Sequence, residues 1–139
     1  PRMASQFSDL YRRTLGVDLH AMALHLAHGR DPALAPRAAP LGGAASSLVY
    51  RAFGPATLPP APRPEQEAAL RAAEPEALYF HFPQTPSSVQ RDLKWLQSTR
   101  YGIIHLHGRD ADDLRARGER ASRLLGWPVP FESTDGVTP

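Results

Sequence analysis

Proline constrains this chain more than any other residue type. Eight of its 15 prolines fall between residues 31 and 64, with Gly42-Gly43 among them. Proline fixes φ and has no amide proton to donate. A long helix or a central strand is therefore excluded from most of this segment. We read it as a Pro/Ala/Gly-rich loop carrying one strand, "SLVYRAF", from Ser47 to Phe53. The following "GPATLPPAPRP" suits extended, polyproline-like chain. The segment divides a helical N-terminal part (3–28) from a strongly periodic part (65–132) and a short tail (133–139), all within a single domain spanning 1–139.

Ahead of the prolines, Phe7, Leu10, Tyr11 and Leu15 repeat at the spacing of one helical face. Leu19, Met22, Ala23 and Leu26 repeat likewise, and Gly29 suits the position just past a helix end. After Pro64, a short helix from Glu65 to Glu74 is closed by Pro75. Ala77 to Phe82, "ALYFHF", is aromatic-rich and short, as a strand is. Thr85 then stands as N-cap with Pro86 at the first helical position, and Val89, Leu93 and Leu96 form a buried stripe. Gly102 to Gly108, "GIIHLHG", is a further strand. Asp110 caps the next helix, with Asp113 three residues on in a capping-box arrangement. That helix turns Ala111, Leu114, Gly118, Ala121 and Leu125 inward and stops at Gly126. "WPVPFES" reads as a short edge strand because of its two prolines. Strand, helix, strand, helix, strand predicts βαβ units. The expected fold is a small two-layer α/β or α+β domain with an at least partly parallel sheet and the N-terminal helices packed on it.

Composition narrows the function classes. The absence of cysteine excludes disulfides, thiolate catalysis and Cys-ligated metal. Of the 16 basic residues only Lys94 is lysine, and the net charge is +2. The arginines are scattered among acids, whereas a nucleic-acid domain usually concentrates its basic charge on one face. No apolar run approaches the roughly 18 residues of a membrane span, and no secretory pattern opens the chain. A soluble, cytoplasmic protein is the expectation.

The tetrapeptide HGRD occurs twice, at His28-Gly29-Arg30-Asp31 and at His107-Gly108-Arg109-Asp110. In each copy glycine suits the end of one element and aspartate the start of another, so the repeat reads as structural punctuation. The second copy lies at a strand end and is the place to look for chemistry. If Leu78, Phe80 and Phe82 face the core with Ile104 and Leu106, alternation leaves Tyr79, His81, His105 and His107 on the other face, with Arg51 nearby. His81, His105 and His107 then form a candidate three-histidine metal site. No acid on these strands orients the rings, and the H-x-H pair is not extended into a longer metal-binding pattern. A second candidate is an anion site at two helix starts, gathering His107, Arg109, Thr85, Ser87 and Ser88. Asp110, Asp112 and Asp113 oppose an anion there; with a substrate phosphate they could instead hold magnesium. No G-x-S-x-G, G-x-G-x-x-G or Walker A pattern is present.

Two function classes follow. In the first, the chain is a non-catalytic interaction or regulatory domain. It binds a protein partner, self-associates, or binds nucleic acid through Arg91, Lys94, Arg100, Arg115 and Arg123, and needs no cofactor. In the second, it is a small metal- or phosphate-ligand-binding enzyme using the His81/His105/His107 face and the loop from His107 to Asp110, with a metal ion as the one candidate cofactor.

Overall fold

The computed structural model describes residues 6–129. Its elements are α1 (Gln6–Leu15), α2 (Leu19–Ala27), β1 (Ala44–Ala52), α3 (Pro64–Ala73), β2 (Leu78–His81), α4 (Pro86–Leu96), β3 (Thr99–Gly108) and α5 (Ala111–Leu125). Single 3₁₀ turns follow two of the prolines, at Pro32–Leu34 and Pro55–Thr57.

The local signals in the sequence act as expected. Asp18, which was not among the expected caps, also caps α2 by accepting from the amides of His20 and Ala21. Thr85 Oγ1 accepts from Ser88 N, and Ser88 Oγ returns the bond to Thr85 N. Both HGRD copies are punctuation. Gly29 (φ +66°) ends α2 and Asp31 caps the 3₁₀ turn, while Gly108 ends β3 and Asp110 caps α5.

The sheet departs from expectation. It has three strands in the order β1-β3-β2, and both pairings are antiparallel. The domain is α+β, and no parallel ladder forms among the described residues. β1 and β2 each oppose β3, so they run in the same direction, but β3 is inserted between them. The physical reason lies in β3. Nearly every one of its residues is buried, so it belongs at the centre and needs a partner on each side. The strand inside the proline-rich segment supplies the longer partner, Ala44 to Ala52 against Thr99 to Gly108. α4 therefore links antiparallel neighbours and is not a crossover between parallel ones. "WPVPFES" does not supply a strand at Trp127–Val129, and its remaining residues lie outside those described.

One sheet face carries the core. Leu48, Tyr50 and Ala52 from β1 meet Tyr101, Ile104 and Leu106 from β3, covered by Leu70 of α3 and Ala121 and Leu125 of α5. A β-bulge opposes both Tyr101 and Gly102 to Tyr50, which lets Tyr101 and Ile104 share this face despite their odd spacing. Trp127 fits over the space left by Gly102: a Cβ there would stand 2.2 Å from the indole. Tyr50, Tyr79 and Tyr101 ring the same indole, with centroids at 4.7, 5.7 and 5.2 Å. Glu74, just past α3, is 3% exposed and is clamped to α5 by Arg117 Nη1 (3.0 Å) and Arg120 Nε (3.0 Å).

The opposite face is only partly covered. α1 lies against β1 and β3 there. Its expected inner stripe is turned outward: Phe7, Tyr11 and Leu15 are exposed, and Ser8 is buried in their place. The sheet presents the polar ring of His105 on this side, and α1 answers with the stripe carrying Asp9 and Arg13.

Candidate functional site

Register decides which of the expected site residues meet. Directly opposed residues on antiparallel strands share a face. Tyr79 opposes Ile104 and His81 opposes Gly102, so both join the core face, where the His81 ring lies 6.3 Å from that of Trp127. Leu78 opposes His105 and Phe80 opposes Ile103, so β2 sends its other side chains to the half-open face. His105 and His107 are therefore separated from His81 by the sheet itself. The three histidines are not brought together, and no group of three or more metal-ligating side chains occurs among the described residues. His107 Nε2 donates to Gly42 O at 2.7 Å, tying the start of β1 to the end of β3.

The anion set is likewise divided. The antiparallel turn places Thr85, Ser87 and Ser88 near the start of β3, whereas His107 and Arg109 stand at its far end. The six steps from Gly102 to Gly108 span about 20 Å of strand. Thr85, Ser87 and Ser88 bond one another. Arg109 pairs with Asp113, whose carboxyl is held below the usual carboxylate range chiefly by the Arg109 amide.

The basic residues are mostly engaged locally. Arg91 pairs with Asp92 and Arg123 with Glu119. Lys94 lies over the Trp95 ring at 5.1 Å, and Arg100 over Phe82 at 4.8 Å. Arg115 is exposed on α5. These pairings break up a continuous basic face.

Two other features emerge. The first is an apolar patch at one end of the sheet. Ala52 opposes Thr99, which sets Phe53 beside the chain leaving α4. Phe53, Trp95 and Leu96 are 78%, 72% and 62% exposed. Next to them, Pro55, Leu58, Val89 and Leu93 line a groove of about 520 Å³ along α4.

The second is a cleft of about 430 Å³ on the half-open face, walled by Leu78, Phe80, Phe82 and Ile103. Arg100 stands in it, and so do Asp9 and His105. His105 is 4% exposed, its ring edge-on to Phe80 at 6.0 Å. Asp9 Oδ2 lies 3.6 Å from His105 Nδ1, beyond hydrogen-bonding reach. Asp9 Oδ2 and both ring nitrogens of His105 have no partner. Burial pushes the imidazole below its ordinary pKa, against the opposing pull of Asp9.

His105 stands out in the sequence, but its setting does not. Asp9 lies far away in sequence, on a helix whose apolar stripe pointed elsewhere, and no local pattern joins the two. Comparison of the chain with protein-family models, with curated proteins and with solved structures gave no match.

Proposed function

We propose that this chain is a non-catalytic interaction domain that binds a protein partner, or a second copy of itself, through the apolar patch on and beside α4. The observation that supports this is the cluster of Phe53, Trp95 and Leu96, three large side chains mostly in water at one end of a sheet. A contiguous exposed apolar surface marks an interaction site in a folded domain, and tryptophan is enriched among the residues that dominate binding energy. The groove beside it gives the patch depth. The local ion pairs of Arg91 and Arg123 favour a protein over a nucleic acid as partner, because they leave less free positive charge to replace counterions.

A photo-cross-linking residue at position 95 tests this in the source cell, with the same residue at exposed Glu65 on α3 as control. Position 95 should give discrete adducts, to another protein or to a second copy, that position 65 does not. Equal patterns overturn the reading. So does salt-sensitive nucleic-acid binding that is lost in Arg91→Ala with Lys94→Ala, which would move the chain to the nucleic-acid class.

A further inference from the structure

The cleft between α1 and β2 is a separate feature from the α4 patch and does not depend on that reading. Its parts are ordered along one direction. Arg100 lies near one end, with its guanidinium over the Phe82 ring and no carboxylate paired to it among the described residues. Phe80, Ile103 and Leu78 form the apolar middle. The far end holds Asp9 Oδ2 and the two His105 nitrogens, all buried and all without a partner. Buried polar groups in folded proteins are nearly always satisfied, and leaving one unpaired is costly. Of these three atoms, Asp9 Oδ2 and the unprotonated nitrogen of a neutral His105 ring accept, so the end of the apolar cleft calls for a hydrogen-bond donor.

From this we infer that the cleft binds an elongated amphipathic carboxylate bearing a hydroxyl or amine at its other end. The carboxylate meets Arg100, which can engage it bidentately. The apolar body lies over Phe80 and Ile103. The terminal donor reaches the Asp9–His105 end, where Asp9 Oδ2 and the unprotonated nitrogen of the imidazole accept. The volume, about 430 Å³, falls within the range of roughly 300–1,000 Å³ usual for small-molecule sites. Arg100 and His105 are separated by about 16 Å of strand, less the reach of the two side chains. That spacing suits a medium-length chain and exceeds what an amino acid spans. The binding is reversible and involves no covalent step.

Calorimetric titration of the whole chain with ω-hydroxydecanoate, decanoate and decanol tests the inference. Affinity should fall in that order, with at least a tenfold step between decanoate and decanol. Arg100→Gln is an exposed substitution that leaves the core alone, and it should abolish that step. His105→Asn should abolish the advantage of the terminal hydroxyl while leaving decanoate binding within about twofold. Amide resonances of Leu78–Phe82 and Ile103–His105 should shift on titration. Binding of decanol as tight as decanoate, indifference to Arg100→Gln, shifts located elsewhere, or no binding by any of the three overturns the proposal. Trp95→Ser, which disables the α4 patch, should leave all three affinities unchanged, so failure of one reading is distinct from failure of the other.

Discussion

Asp9 Oδ2 and His105 Nδ1 face each other at 3.6 Å inside the domain, and neither completes a hydrogen bond. Burial dominates the imidazole: its pKa is depressed from the ordinary 6.5, with Asp9 opposing the shift and Arg13 of α1 adding to it. The unfolded chain then binds the proton more readily than the folded one. Stability from this site is complete above pH 6.5 and is lost as pH falls from there towards the depressed native value. Thermal unfolding at about pH 7.5 and about pH 5.5 should show a larger fall in Tm for the wild type than for His105→Asn. Asp9→Asn should steepen the fall. Parallel pH profiles for all three proteins would refute this.

Tyr50 and Ser122 make a directional pair. Ser122 Oγ donates to Gly118 O at 2.7 Å, so the Tyr50 hydroxyl, 2.7 Å from Ser122 Oγ, is the donor of the second bond. Tyr50→Phe removes a donor and should cost about 1 kcal/mol; Ser122→Ala strands a buried hydroxyl and should cost about 1–3 kcal/mol. The double variant should resemble Tyr50→Phe alone, since its stranded group is gone. Urea unfolding of the three variants measures the cycle. A Ser122→Ala cost below that of Tyr50→Phe would contradict the assignment. The same burial pushes the Tyr50 phenol up to about 12.

Glu74 is a buried carboxylate held by two half-exposed guanidinium groups. Removing both with Arg117→Ala and Arg120→Ala leaves the charge uncompensated. Loss of a fully buried partner costs about 3–5 kcal/mol, and exposure of the arginines discounts this to about 1–3 kcal/mol. Adding Glu74→Leu should recover part of the loss, because the stranded charge disappears. Denaturant midpoints decide it; a triple variant no more stable than the double would count against the clamp.

Gly102→Ala would set a methyl 2.2 Å from the Trp127 ring. The indole must move, at a cost of about 1–3 kcal/mol for overpacking. Trp127 emission should shift to the red in the folded variant, read in a Trp95→Phe background so that only one tryptophan reports. An unchanged spectrum would show that the ring does not depend on Gly102.

Local features were legible because their causes are local. Asp31, Thr85 and Asp110 act on amides two or three residues away, and Gly29 and Gly126 take the left-handed backbone at helix ends. Ile104 and Leu106 were also placed correctly opposite His105 and His107. What failed was β2, where both faces are apolar or aromatic. Leu78 and Phe80 alternate with Tyr79 and His81, so alternation cannot select a side, and only pairing with β3 does. Pairing direction was hidden for the same reason: a strand-helix-strand order fits either direction until the third strand is placed. That strand lay within the proline-rich segment, where its long reach was masked by its surroundings. Sites that rest on pairing, such as the three histidines, failed with it.

The insertion of β3 between two strands that precede it carries a consequence for how the chain is made. β1 and β2 never bond to each other, so neither has a neighbour until Thr99 to Gly108 leaves the ribosome. A nascent or prematurely ended chain that stops before β3 exposes two unpaired strand edges, one of them rich in Phe and Tyr, and such edges recruit other chains. β3 thus acts as the keystone of synthesis as well as of the sheet. The chain stays vulnerable to aggregation until Gly108 has emerged.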